Sequence, residues 1–147
     1  MSQNTKTNKG FTIIEVLIVL AIAGLIMLIV FLAVPALQRN SRNTSRRSDV
    51  SRVLGVVQEV INNNSNSMSA VTKPNIVTAV GTLGYYTTSA TMPAVGAGAY
   101  TNATTPDSFV VRTGAKCDTS GNAIAGSARQ IAIVYTLEPD VDQCQNS

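Results

Sequence analysis

The chain has 147 residues, 45% of them apolar and only 5% aromatic, with a formal charge of +3. It contains no His and two Cys, which excludes Ser-His-Asp triads, Cys-His pairs and His-based zinc sites, and with them most hydrolase chemistry. Nor does the basic balance point to nucleic acid: without Lys6 and Lys9, which precede the apolar run, the eleven basic side chains become nine against eight acidic ones.

Residues 1–10 are short, polar and basic, with nothing to pack, and read as a leader. Residues 11–37 then carry a single ionised side chain, Glu15. From Val16 to Val34 there is no charge, and at a helical rise of about 1.5 Å per residue this stretch spans roughly a bilayer core. A cleavable secretory signal is the rival reading, with Ala33-Val34-Pro35-Ala36 imitating its cleavage site, but such a signal has an apolar core of only about 7 to 15 residues. Gly24 lies inside the apolar helix and Pro35 near its far end, where the ring removes the bond to the Phe31 carbonyl. A kink or local melting is predicted between them.

Beyond Pro35 the chain turns polar, and Arg39, Arg42, Arg46, Arg47 and Arg52 crowd the exit from the apolar run. Val50, Val53, Leu54, Val57, Val60 and Ile61 recur at helical spacing, which predicts a second, amphipathic half of the helix packed on a sheet. Asn62, Asn63 and Asn64 supply its stop, since Asn tolerates the left-handed conformation at a helix end. Enrichment in Val, Ile, Tyr, Phe and Thr predicts strands at Ile76–Thr88, Ser108–Thr113 and Gln130–Glu138, with an irregular loop over Ser89–Thr105. The fold class is therefore α+β: a long N-terminal helix, membrane half plus amphipathic half, packed on a small antiparallel sheet.

The portion after Asn62 has about 85 residues, a size at which a core alone is marginal. Cys117 and Cys144 form an even pair in a domain placed outside the membrane, which favours a disulfide over a redox or metal motif; two unpaired thiols are the alternative. For the bond to form, the tail after Glu138 must double back by up to about 20 Å to reach Cys117.

The segment Lys9-Gly10-Phe11-Thr12-Ile13-Ile14-Glu15-Val16-Leu17-Ile18-Val19-Leu20 closely resembles the class III signal of type IV pilins and pseudopilins. A basic leader, a glycine that lets the backbone enter a protease cleft, an aromatic next residue and a carboxylate four positions later together make the match specific. The resemblance implies cleavage after Gly10 by a prepilin peptidase, N-methylation of the new terminus Phe11, and an assembly role for Phe11, Thr12 and Glu15. It implies helix loosening at Gly24 and Pro35, although the family's proline usually lies nearer to its glycine. The motif covers about 30 residues, and beyond it the likeness is one of architecture alone.

Glu15 has two readings. A carboxylate inside a membrane helix costs about 2.5 to 3.5 kcal/mol and calls for a partner, which in a filament is the Phe11 amine of a neighbour. Near a helix N-terminus it can instead reach the interface and be stabilised by the helix dipole. The arginine cluster reads as a solvated helix face, or as a surface for acidic polymers, lipid headgroups or nucleic acid. Its position beyond the helix conflicts with the charge rule for membrane topology, and the processing motif and cysteine pair decide against that rule. Asp118, Asn122, Glu138, Asp140 and Asp142 fit no complete calcium-loop motif and read as a solvated acidic loop. The sequon Asn102-Ala103-Thr104 is a weak signal.

These readings divide the chain into a leader (1–10), a transmembrane and filament-core helix (11–37), an amphipathic half-helix (38–62) and a sheet domain with a C-terminal disulfide loop (63–147). The expectation is a non-enzymatic subunit without metal or cofactor. It is anchored in the cytoplasmic membrane with its N-terminus inside, then polymerised with itself into an extracellular filament for adhesion or twitching. The implied partners are membrane lipid, the prepilin peptidase, a platform protein and an assembly ATPase. A pseudopilin of a secretion or DNA-uptake machine is the first alternative, and a single-pass membrane receptor or binding module the second.

Overall fold

The computed structural model of the chain describes residues 10–86, 95–96 and 107–147. The chain divides after Gln38 into two compact units. One helix, α1 (Ile13–Asn63), supplies the regular structure of the first unit's described residues and opens the second. Residues 10–38 are exposed without exception, Phe11 at 91% and Phe31 at 76% among them, and the apolar window of α1 has a mean hydropathy of 3.3. Gly24 and Pro35 are both helical in this single chain, as is everything between them.

In the second unit α1 becomes amphipathic as its apolar spacing requires: Val50, Val53, Val57, Val60 and Ile61 are buried. It stops at the run of asparagines. Ser65 and Asn66 take positive φ, and the Asn66 N–H bonds back to the Ile61 carbonyl at 2.9 Å. A 3-10 turn (Met68–Ala70) leads to α2 (Lys73–Val80).

Helix α2 corrects the strand expected from Ile76 onward. Pro74 sits in its first turn, where a missing N–H costs nothing, and Ile76 and Val80, four residues apart, share the buried face. The β-branched composition suggested a strand, but the spacing is helical. Residues 87–88, the loop expected over Ser89–Thr105 save for 95–96, and the Asn102 sequon lie outside the described residues.

Among the described residues six strands follow: β1 (Val95–Gly96), β2 (Phe109–Thr113), β3 (Ala115–Cys117), β4 (Ala123–Ala125), β5 (Ile131–Leu137) and β6 (Val141–Asn146). The main sheet has the order β1-β2-β5-β6, antiparallel except where the two-residue β1 runs parallel to β2, and β3 and β4 form a separate hairpin. The segment after Glu138, read as a loop, is a strand: β6 doubles back along β5, pairing Leu137 with Val141 and Ala132 with Asn146.

Strand β5 is buried along its whole length. Ile131, Ile133, Tyr135 and Leu137 face the core made with α1 and α2. On the other face Ala132 and Val134 pack under Ala115 and Ala123 of the hairpin. Small side chains permit this approach, and so do two glycines. A Cβ on Gly126 would lie 2.8 Å from the Ala115 carbonyl carbon, and one on Gly121 2.7 Å from the Asp142 carbonyl oxygen. The hairpin is tied to the sheet by the Cys117–Cys144 disulfide.

Candidate functional site: the helix N-terminus and the arginine cluster

Gly10 is exposed with open space where a side chain would project, so the Gly10–Phe11 peptide bond is sterically accessible. Two residues on, the helix starts with a reciprocal cap. Thr12 stands just before Ile13, and its N–H and hydroxyl both donate to Glu15 Oε2, at 2.8 and 2.7 Å. The Glu15 N–H in turn reaches Thr12 Oγ1 at 3.4 Å. This is a capping box, and Thr12-Ile13-Ile14-Glu15 ahead of an apolar run is its sequence signature, which the dipole argument for Glu15 overlooked. Phe11, Glu15, Val16, Val19 and Leu20 line one groove along the helix, so the carboxylate stands at the foot of an apolar stripe. A single chain thus orients this carboxylate without a second copy, and leaves the Phe11 nitrogen out of the bonding.

The arginines divide differently from the expectation of a solvated face. Arg46 is completely buried: its guanidinium bonds Glu138 at 2.9 Å, the Tyr85 hydroxyl at 2.6 Å and Asn43 at 3.0 Å, and it approaches Asp107 at 3.4 Å. Arg42 binds the same Glu138 carboxylate through two nitrogens, at 2.9 and 2.6 Å. Arg52 donates to the carbonyls of Val80 and Thr82, and Arg47 to Tyr135. Of these five arginines only Arg39 has no hydrogen-bond or ion-pair partner among the described residues. Arginine suits this use because its planar fork satisfies several acceptors at once while staying charged. The cluster ties α1 to the end of β5, a role no local sequence signal announces.

Asp49, buried on α1, accepts the backbone N–H groups of Gly84, Tyr85 and Tyr86 at 3.0, 2.6 and 3.1 Å. Of the five expected acidic-loop residues, Glu138 belongs to the arginine cluster, and Asp118 folds back on its own turn, accepting from Ser120 and Asn122. Those bonds, the Asn122 N–H first, hold the Asp118 carboxyl below the usual range. Among the described residues there is no cluster of three metal-binding side chains.

The family model of the prokaryotic N-terminal methylation motif matches residues 5–31, which include Gly10, Phe11, Thr12 and Glu15. No curated protein and no solved structure matches the chain. The motif implies processing by a prepilin peptidase, and with the exposed apolar helix it implies a membrane-anchored precursor. Residues 5–31 are thus a prokaryotic N-terminal methylation motif, the class III signal peptide found on type IV pilins and pseudopilins.

Proposed function

We propose that the chain is the structural subunit of a type IV pilus, released after Gly10, methylated at Phe11 and polymerised through its N-terminal helix into an extracellular filament. The observation that carries this reading is the join of the methylation motif to an apolar segment, residues 11–38, that is helical from Ile13 and exposed throughout. Such a surface is stable only in lipid or against other apolar helices. Before assembly the helix spans the cytoplasmic membrane; afterwards copies of itself replace the lipid. Gly24 and Pro35 are the positions where the helix would loosen on packing, and the leader, apolar half-helix, amphipathic half-helix and sheet domain take the successive roles of address, anchor, stem and surface. A platform protein and an assembly ATPase supply the transfer. The subunit itself performs no catalysis.

Mass spectrometry of the mature chain tests the first half of the reading: loss of ten residues and a methyl group on Phe11 are expected, and Gly10→Asp should leave the precursor uncut. Shearing and electron microscopy test the second half. A processed chain that never forms long filaments at native expression is a pseudopilin, and an uncut chain is a membrane-anchored receptor or binding module.

A further inference from the structure

Helix α1 carries eight charged side chains, and the chain itself satisfies six of them: Glu15 by Thr12, Asp49 by three backbone N–H groups, and Arg42, Arg46, Arg47 and Arg52 by the contacts above. Arg39 and Glu59 remain, both exposed, with no hydrogen bond or ion pair among the described residues. They are opposite in sign and lie twenty residues apart on one helix, with Pro35 outside the interval. We propose that Arg39 of one copy pairs with Glu59 of a parallel neighbouring copy, an inference that rests on the filament reading above.

The geometry of the helix supplies the argument. Twenty residues correspond to about 30 Å of rise and about 160° of rotation, so the two side chains occupy nearly opposite faces. Opposite faces are what two parallel helices need in order to meet, because the right side of one touches the left side of the other. Arg39 stands seven residues before Arg46 and so only about 20° away from it in azimuth. It therefore continues the face that the sheet covers from Arg42 onward, at a level where that cover has ended. Glu59 lies on the averted face, one turn beyond Gly55, whose exposed position leaves open space for a close neighbour. A second helix displaced by about 30 Å along the axis, with its averted face against the uncovered end of the first, brings the two charges together. The contact joins two different patches, so it repeats head to tail and generates an open helical polymer rather than a closed dimer.

Charge reversal in the full chain, with wild-type assembly machinery, tests the pair. Arg39→Glu and Glu59→Arg each place like charges at every contact, so each is expected to lower sheared-filament yield about tenfold or more, with added salt relieving the loss. The double reversal should return the yield to within about twofold of wild type. Cleavage at Phe11, the membrane pool and the Cys117–Cys144 bond should be unaffected throughout, because neither residue has a hydrogen bond or ion pair among the described residues. In assembled filaments, Arg39→Cys combined with Glu59→Cys should give a ladder of linked chains on mild oxidation. Single reversals that assemble like wild type, or a double reversal that fails to recover, overturn the pair while leaving the filament reading intact. A wild-type chain that is processed yet forms no filament removes that reading, and the pair with it.

Discussion

The side-chain amide of Asn43 holds both backbone groups of Glu138: its Nδ2 donates to the Glu138 carbonyl at 2.9 Å, and its Oδ1 accepts the Glu138 N–H at 3.0 Å. A helix side chain thus does for the end of β5 what a further strand would do, while Arg42 and Arg46 take the carboxylate of the same residue. Asn43→Ala leaves two part-buried backbone groups unpaired and is expected to cost about 1 to 3 kcal/mol in denaturant unfolding of the detergent-solubilised chain. Arg39→Ala, two residues beyond the end of the apolar run at Leu37 and without polar partners among the described residues, should change nothing in the same assay.

Glu138 also sets an acid limit. The Arg42 hydrogen bonds, reinforced by Arg46 and opposed by partial burial, bring its carboxyl down from 4.5 to about 2. A depressed carboxyl binds fewer protons in the folded state, so the stability it contributes is complete above about pH 4.5 and is lost as the pH falls towards about 2. Unfolding midpoints measured across that window should fall steeply for wild type. Glu138→Gln should be less stable at neutral pH and show a flatter profile, and an equally steep profile in the variant would place the acid sensitivity elsewhere.

The disulfide closes a sequence separation of 27 residues, worth about 3.5 kcal/mol in the chain-entropy model. Cys144→Ser should lower stability by that order. Hydrogen exchange should then rise first in β3 and β4, because the bond is what ties the hairpin across β5.

Glycine to alanine should have opposite signs at two positions. At Gly126 the new Cβ meets the backbone of Ala115 and Lys116 at 2.8 and 2.9 Å, so the hairpin must move, at a cost of about 1 to 3 kcal/mol. At Gly55 there is open space on an exposed helix, where alanine gains up to about 1 kcal/mol of helix propensity. Thermal unfolding of the two variants distinguishes them directly.

Glu15→Gln separates the cap from the charge. A glutamine at this third helical position can still accept from the Thr12 N–H, so the helix start should survive, along with membrane insertion and cleavage after Gly10. What is lost is the negative charge available to a neighbour's Phe11 amine, and filament assembly should be abolished or severely reduced. Filament quantities equal to wild type at matched membrane pools would show that the cap alone is the role of Glu15.

Elements whose side chains announce their surroundings were legible in the sequence. The apolar run, the Val50 to Ile61 face and the strands at Phe109–Thr113 and Ile131–Leu137 all follow from periodicity and β-branched content. Strand β6 was not legible, because Val-Asp-Gln-Cys-Gln-Asn has one aliphatic residue and is held by backbone pairing and the disulfide. The hairpin β3–β4 was hidden by its small residues, which matter only because β5 lies beneath them. In the site, the processing motif is contiguous and was read directly, and the capping box was readable though overlooked. The Arg46–Glu138 pair spans 92 residues of sequence, and only the folded chain shows that this arginine is buried.

Apart from the Thr12–Glu15 cap, the side-chain hydrogen bonds, ion pairs and disulfide described above all lie within residues 39–147. None of these bonds, which hold the described part of the sheet domain together, involves the apolar end of α1. In the proposed filament, passage from lipid to a bundle of sister helices would be a change of solvent for one segment, with none of the described bonds of the other broken. On that reading the exposed apolar area of the rod sets the bulk of the free energy that holds a subunit in lipid or among its neighbours, the charge pairs between copies add to it only in the filament, and the stability of the carried domain does not enter.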